Sequence, residues 1–313
     1  MKERILAMLL SGLLLLSATA CQTVPENEID TPQNSPSVEE PNEESGNTES
    51  EYDPGTDPTW NGSVIYNGAY RNSEITYTFD PNSGLSIHIA DWNEDHLVTS
   101  LSDEDINAVK YSATAIGVNN ERAFLLLKRS NKITVVSFKK GSPNEMVINL
   151  NIDENVYRIS GNFINENIGY IFAFAEVSGH HAKGSSKLSH FFKTEDGGNT
   201  WSAISVQSAP LISLSENVVF SKMISEDIGV ISGRYWADDY DFCQRTLLTT
   251  NGGRNWECIS TLPKINNLCS PEVIDFTKYE GSYILTVRHI TSENGYEYAK
   301  YKSSDLNVWM HID

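Results

Sequence analysis

Three stretches in the second half of the chain repeat one short pattern, and this repeat constrains the fold more than any other feature. A hydroxyl residue is followed by Asp or Asn at offset two, Gly at offset four and Trp at offset seven. The members are Thr194, Asp196, Gly198 and Trp201, then Thr249, Asn251, Gly253 and Trp256, then Ser303, Asp305 and Trp309. The tryptophans lie 55 and 53 residues apart, a period that suits a four-stranded unit with its loops.

Each copy has the composition of a β-hairpin. A run rich in strand-forming residues precedes the turn, and Trp opens the next strand. Glycine accepts positive φ where the chain reverses, and an Asp or Asn side chain accepts hydrogen bonds from turn amides. The Trp then buries a large apolar area against the neighbouring unit.

The pattern resembles the Asp-box, or BNR repeat, of sialidase-like and photosystem-assembly-factor-like β-propellers. The first copy matches fully, the second has Asn251 for Asp, and the third is a shortened variant with Trp309 one position early and Asn in place of Gly. The resemblance implies an all-β propeller of four-stranded blades. It also implies that Asp196 and Trp201 are structural, because the box lies away from the ligand face in those families.

The strand patterns predict about five blades within a single domain, residues 59–313. Six or seven blades remain alternatives if the early region holds short ones. An Ile-Gly or Tyr-Ile stretch precedes each box and predicts the second strand of its blade. The predicted spans are 59–104, 105–151, 152–206, 207–262 and 263–313.

Three long inner loops of these blades, 176–187, 235–242 and 291–295, are predicted to project on the face opposite the boxes. The second loop mixes aromatic rings with carboxylates and is the predicted ligand rim. An ordinary solvated loop is the alternative, and we predict no metal there because a calcium-loop spacing is missing. The rim residues are Tyr235, Trp236, Asp238, Asp239, Tyr240 and Asp241.

The first 20 residues have the order of a secretory signal peptide. Lys2 and Arg4 precede an apolar run that is shorter than the roughly 20 residues needed to span a bilayer. The following Ala18-Thr19-Ala20-Cys21 resembles a lipobox, which implies cleavage before Cys21 and lipidation of its thiol. A cleaved signal with a chance cysteine is the alternative. The prediction is a lipoprotein anchored in the cell membrane and facing outside the cytoplasm.

Residues 21–58 are predicted to form a lipidated and disordered acidic linker. From Gln22 to Pro58 the chain has eleven acidic residues and no Lys or Arg. Such a segment buries too little apolar surface to offset the entropy of ordering it. Its 37 residues, as a flexible coil, would average about 30–36 Å end to end.

The net charge and the number of cysteines limit which partners and cross-links we expect for this chain. Removing the signal and linker from 23 basic and 42 acidic residues leaves 21 and 30, a net charge of about −9. This balance argues against nucleic acid as a partner. The remaining cysteines permit one disulfide, and the sequence does not say which two of Cys243, Cys258 and Cys269 would form it. Their spacing is not that of a zinc site.

Catalytic motifs are missing from the sequence. The sialidase arginine motif near the first blade, a Gly-x-Ser-x-Gly elbow and a phosphate loop are all absent. The sequence therefore favours a non-catalytic binding or assembly propeller with no cofactor and an unknown protein or glycan ligand. A divergent sialidase-like glycoside hydrolase and a purely structural envelope protein are the alternatives.

Overall fold

All of the residues that the computed structural model describes lie in the compact unit Asp53–Asp313. The described residues are 60–67, 72–80, 83–90, 92–119, 121–176, 185–208, 212–213, 219–233, 245–259, 269–290 and 296–312. The predicted signal peptide, Cys21 and the acidic linker lie outside them. In the part of the chain that is described, no helix has the length and hydrophobicity required to span a membrane.

Five sheets account for nearly all of the regular structure, and in each one consecutive strands pair antiparallel. Sheet 1 contains β1 (Trp60–Asn67), β2 (Asn72–Asp80), β3 (Gly84–Ile89) and β4 (Glu94–Val98). Sheet 2 contains β5 (Ala113–Asn119), β6 (Arg122–Lys128), β7 (Lys132–Lys139) and β8 (Met146–Asn151). Sheet 3 contains β9 (Val156–Phe163), β10 (Gly169–Glu176), β11 (Ser185–Thr194) and β12 (Ser202–Ala203).

The last two sheets follow the same order of strands. Sheet 4 contains β14 (Val219–Met223), β15 (Gly229–Gly233), β16 (Arg245–Thr249) and β17 (Glu257–Cys258). Sheet 5 contains β18 (Cys269–Tyr279), β19 (Ser282–Ile290), β20 (Tyr296–Ser303) and β21 (Met310–Ile312). The short strand β13 (Ile212–Ser213) pairs with β11 at the edge of sheet 3.

Neighbouring sheets pack face to face in chain order. Four clusters of buried apolar side chains join sheet 1 to sheet 2, sheet 2 to sheet 3, sheet 3 to sheet 4 and sheet 4 to sheet 5. Strands β6 and β7 read as nearly continuous apolar runs because sheet 2 is covered on both faces.

The first strands of consecutive sheets lie beside one another, from β1 through β5, β9 and β14 to β18. The fold is therefore all-β and propeller-like. Among the described residues no core cluster joins sheet 5 to sheet 1. The number of blades in a closed ring stays a prediction.

Two details correct the predicted spans. The boundary predicted between residues 104 and 105 lies inside helix α1 (Asp103–Ser112), which the strand patterns did not predict. Ser102 begins it as an N-cap, and three acidic residues in its first turn favour the helix dipole. The second correction is β13, which falls in the predicted span 207–262 but pairs with sheet 3.

Candidate functional site

The first repeated turn is held by one hydroxyl and one carboxylate. Thr194 Oγ1 accepts the backbone amide of Gly198 at 2.8 Å and donates to Asp196 Oδ1 at 2.9 Å. Asp196 Oδ1 also accepts the Thr200 amide at 2.8 Å. Slight burial acts to raise the pKa of the Asp196 carboxyl, but hydrogen bonds from Thr200 and Thr194 outweigh it and the pKa is lowered. We call residues 194–201, 249–256 and 303–309 the box turns.

The second box turn repeats these contacts with an amide in place of the carboxylate. Thr249 Oγ1 accepts the Gly253 amide at 2.9 Å. Asn251 Oδ1 accepts the Asn255 amide at 2.9 Å, as Asp196 does in the first turn. The side-chain oxygen at this position is therefore used as an acceptor whether or not it is charged.

The third box turn is one residue shorter. Its hydroxyl accepts a hydrogen bond from the amide three positions later in the chain, instead of four as in the first turn. Ser303 Oγ accepts the Leu306 amide at 2.9 Å, and Asp305 Oδ1 accepts the amides of Asn307 and Val308 at 3.0 and 3.1 Å. The backbone hydrogen bonds from Val308 and Asn307 hold the pKa of Asp305 below its ordinary value.

The backbone of the third turn differs from the sequence-based expectation. We expected Asn307 to take the place of the glycine, but Leu306 is the residue with the positive φ of that position, at 68°. The first two turns each use two consecutive glycines with positive φ, and the shortened turn uses one such residue. The glycines are Gly197, Gly198, Gly252 and Gly253.

The box-turn tryptophans are buried to different extents. Trp256 is 1% exposed, donates to the Gly253 carbonyl at 2.9 Å, and contacts the rings of Phe172 and Phe191 in sheet 3. Trp309 is buried between sheets 4 and 5, whereas Trp201 is half-buried. The indole nitrogens of both have no hydrogen-bond partner in the described part of the chain.

Each of the first two box turns docks on the preceding sheet. A Cβ on Gly198 would lie 2.4 Å from the Phe124 ring of sheet 2, and one on Gly253 would lie 2.2 Å from the Phe191 ring of sheet 3. Arg122 of sheet 2 also donates to the Gly197 carbonyl at 2.7 Å. The box-turn residues therefore make contacts within the scaffold.

A cavity of about 340 Å³ lies at the box turns of sheets 4 and 5. Its lining includes Asn251, Asn255, Glu257, Asp305 and Asn307. Because the Asn251 and Asp305 oxygens already accept turn amides, this cavity offers few uncommitted groups to a ligand.

The predicted ligand rim lies outside the described residues. This holds for all six residues Tyr235, Trp236, Asp238, Asp239, Tyr240 and Asp241, and for the loop 291–295. Of the loop 176–187, only its ends are described, as the last residue of β10 and the first three of β11. The described residues contain no group of three or more His, Cys, Asp or Glu side chains that could hold a metal ion.

The described part of the face opposite the box turns contains an exposed aromatic ring that sequence reasoning missed. Strand β9 runs towards the box end, since Phe163 pairs with Gly169 and Gly169 pairs with Thr194. Tyr157 lies at the other end of β9, and 41% of its surface is exposed. A ring exposed at the start of a first strand is available to a ligand.

Two cationic side chains flank this tyrosine. Lys128 of sheet 2 donates to the Tyr157 carbonyl at 3.0 Å, and its Nζ lies 5.8 Å from the ring centre. Burial lowers the pKa of Lys128. We call Lys128, Tyr157 and Arg158 the Tyr157 corner.

Arg158, the next residue of β9, lies on the face of the strand that is turned towards sheet 4. It pairs with Phe174, which packs in the core between sheets 3 and 4. Burial lowers the pKa of the Arg158 guanidinium, although an arginine stays charged. Among the described residues Arg158 makes no ion pair with a carboxylate. A guanidinium carries five N–H donors in a planar fork.

The carboxylates nearest in sequence to this corner each contact a basic side chain of β11. Asp153 Oδ1 lies 2.7 Å from His190 Nε2, and Glu154 Oε1 lies 2.7 Å from Lys187 Nζ. These pairs join the start of sheet 3 to β11. The sequence held no signal for the corner beyond adjacent Tyr and Arg residues in one strand, because Lys128 comes from a different sheet.

Comparison with known proteins identifies no family. No protein-family model and no curated protein matches the chain. A GH74 xyloglucanase from Xanthomonas campestris has 11% identity and a TM-score of 0.41 over 82% of this chain, which spans only 39% of that enzyme. The fucose-specific lectin from Aleuria aurantia has 12% identity and a TM-score of 0.38, covering 81% of this chain and 77% of the lectin. At these scores neither likeness carries an argument about fold, ligand or activity.

Proposed function

We propose that the chain is a membrane-anchored lipoprotein whose β-propeller domain binds a protein or glycan without catalysing a reaction. Lipidation at Cys21 would provide the anchor, and the acidic linker would separate the domain from the membrane. Two or more acyl chains are needed for stable anchoring. The box turns, as Asp-box elements, would hold neighbouring blades together.

The observation that carries the binding proposal is the Tyr157 corner. An aromatic face stacks on a sugar ring or an apolar side chain, and two flanking cations donate hydrogen bonds to hydroxyl, carbonyl or carboxylate groups. Desolvated aromatic and arginine side chains contribute most of the binding energy at protein interfaces. Tyr157 and Arg158 are thus the residues on which the ligand would depend.

The glycoside hydrolase alternative has weaker support. Hydrolysis requires one carboxyl group to donate a proton and a second carboxylate to act as nucleophile or base. Asp153 and Glu154 are the carboxylates nearest in sequence to the corner, and each already contacts a side chain of β11, His190 and Lys187 respectively. Turnover of any fluorogenic glycoside by the wild-type chain would favour this alternative.

The test is binding of the mature chain to glycan and envelope-protein arrays, followed by titration of the strongest ligand. Tyr157→Ala should weaken binding about tenfold or more, equivalent to ~1.4 kcal/mol. Tyr279→Ala is the matched control, because Tyr279 is 63% exposed on sheet 5 and should not affect binding. Equal affinities of the two variants would contradict the assignment of the corner, and arrays without any ligand would contradict the function.

A further inference from the structure

The outer strand of sheet 2 differs from the outer strands of the other sheets. Strand β8 has six residues, whereas β12 and β17 have two each and β21 has three. Strand β4 has five residues, of which Glu94, Asp95 and His96 are titratable. The sequence of β8, Met-Val-Ile-Asn-Leu-Asn, contains neither a charged residue nor a proline. Among the described outer strands, β8 is therefore the longest, and it carries no charge.

One edge of β8 has no neighbouring strand in the described part of the chain. Sheet 2 has the order β5-β6-β7-β8, so β8 pairs with β7 alone. Just beyond the end of β8, the Ile152 amide donates to the Asn131 carbonyl on the β7 side. Backbone groups of consecutive residues point to opposite edges of a strand. The N–H and C=O groups of Val147, Asn149 and Asn151 therefore point away from β7.

This edge lacks the features that prevent strands from pairing. Natural sheets block their edges with charged side chains, prolines or bulges. The register of β8 with β7 is continuous from Ser137–Met146 to Lys132–Asn151, so β8 has no bulge. Asn149 and Asn151 are exposed, and the first three residues of β8 are half-buried. A further strand can therefore reach the edge from solvent.

We propose that β8 pairs antiparallel with β8 of a second copy of this chain, which forms a two-fold symmetric dimer. One register uses the outward backbone groups of all three residues, and it places Asn149 opposite Asn149 of the second copy. Val147 of each copy then lies opposite Asn151 of the other. Each of these directly opposite pairs exchanges both of its N–H···O bonds.

The side chains of β8 are self-complementary in this register. Ile148 and Leu150 lie on the face that packs in the core between sheets 2 and 3. Ile148 of each copy would lie opposite Leu150 of the other, and such apolar cross-strand pairs stabilise a sheet. At the symmetry axis the two Asn149 amide groups can exchange hydrogen bonds, since an amide both donates and accepts. The strand therefore matches itself in hydrogen bonding and in apolar contacts, which favours a second copy over an unrelated partner.

The nearest charged residues along the chain lie beyond the ends of the paired strands. Glu145 would lie opposite Asp153 of the second copy, and both are acidic. Each carboxylate already has a partner in its own chain: Glu145 Oε1 accepts the Ser100 amide at 2.9 Å, and Asp153 Oδ1 lies 2.7 Å from His190 Nε2. The attraction between copies is thus not ionic, and added salt should not weaken it. This inference is independent of the Tyr157 corner and of any ligand bound there.

Cysteine substitution in the purified full-length chain tests the register. The Cα atoms of a hydrogen-bonded antiparallel pair lie about 5.5 Å apart, within the range of about 4.4–6.8 Å that a disulfide spans. Asn149→Cys should therefore give a disulfide-linked dimer on mild oxidation. Asn151→Cys is the matched control, because its two copies would be offset by four residues, roughly 13 Å. Mixing Val147→Cys with Asn151→Cys should restore the link.

Mass spectrometry of the linked peptides assigns each disulfide and separates it from any that involves the native cysteines. A high yield for Asn149→Cys and for the Val147→Cys and Asn151→Cys mixture, with little for Asn151→Cys alone, supports the proposal. Equal yields from Asn149→Cys and Asn151→Cys would indicate random collision and overturn it.

A charge at the symmetry axis provides the second test. Asn149→Lys places two positive charges opposite each other, so sedimentation equilibrium in density-matched detergent should show dimerisation at least tenfold weaker. Asn131→Lys is the matched control, because Asn131 is exposed in the same sheet on the turn before β7. Near-UV circular dichroism checks that both variants fold. A wild-type chain that stays monomeric up to about 0.2 mM, or a dimer that both variants weaken equally or leave unchanged, would overturn the proposal.

Discussion

A hydroxyl oxygen organises each box turn. Thr194, Thr249 and Ser303 are almost fully buried, and each accepts a turn amide that would otherwise be unsatisfied. Leaving a buried amide without a partner costs about 1–3 kcal/mol. This is the physical reason that the pattern requires Ser or Thr at its first position.

Leu306 shows how packing overrides backbone preference. A non-glycine residue with left-handed φ costs about 1–2 kcal/mol, whereas full burial of a leucine side chain contributes about 1.5–3 kcal/mol. Leu306 is only 9% exposed in the core between sheets 4 and 5. Burial of the side chain contributes more free energy than the left-handed backbone costs, so the shortened turn tolerates leucine.

Gly198→Ala should destabilise the domain by about 2–4 kcal/mol, since it combines left-handed backbone strain with overpacking against the Phe124 ring. Gly141→Ala is the control. Gly141 also has positive φ, 71°, but an added Cβ there meets nothing within 4 Å. Urea unfolding of both variants measures the difference, and equal losses would show that the contact with sheet 2 is unimportant.

At the scale of elements, α1 is attached to sheet 2 through one buried carboxylate. Asp105 is 4% exposed, lies 3.0 Å from Arg129 Nη1, and accepts the Thr134 hydroxyl at 3.1 Å. Burial acts to raise the pKa of Asp105, but hydrogen bonds from Ser102 and Thr134 and the charge of Lys132 lower it overall.

The lowered pKa of Asp105 predicts the pH range in which its contribution is lost. A carboxylate whose pKa is depressed by folding stabilises the fold above its unfolded pKa, near 3.8, and loses that contribution as pH falls through the folded value. Asp105→Asn should therefore cost about 1–3 kcal/mol at pH 7, with a smaller difference from wild type at pH 3. Asp103→Asn, at an exposed position in the same helical turn, is the control. A difference that is constant with pH would contradict this role.

For the whole molecule, contacts between consecutive sheets dominate. Each described core cluster joins two sheets that are consecutive in the chain. In repeat proteins built this way, the stability is approximately the sum of the stabilities of the repeats and of the interfaces between neighbouring repeats. Every described core residue lies between Ile75 and Trp309, so replacing Cys21 removes no described packing contact.

Cys21→Ser should release the protein from the membrane without altering the domain. The serine hydroxyl does not accept the diacylglycerol, and binding through buried methylenes, about 0.8 kcal/mol each, is lost. Fractionation of cells together with mass spectrometry of the N-terminus checks this, and near-UV circular dichroism checks the fold. A variant that stays in the membrane fraction would exclude lipid anchoring at Cys21.

The amino-acid sequence by itself predicted the box turns, the strand periods and about five consecutive four-stranded units, with six or seven left open, because these depend on interactions between residues close in the chain. Strands Arg122–Lys128 and Lys132–Lys139, for example, are apolar runs bounded by basic residues in the sequence. Alternation of apolar residues and turn glycines is a local signal, so it can be read without coordinates.

Only the tertiary structure decided which distant side chains meet. Lys128 and Tyr157 come from different sheets, and so do Gly198 and Phe124. The left-handed Leu306 also depended on packing between sheets 4 and 5, whereas the Ser102 N-cap and the acidic first turn of α1 are local signals that the strand patterns did not capture. The physical reason is that the free energy of burial comes from contacts between elements, and these contacts form only once the sheets have packed together.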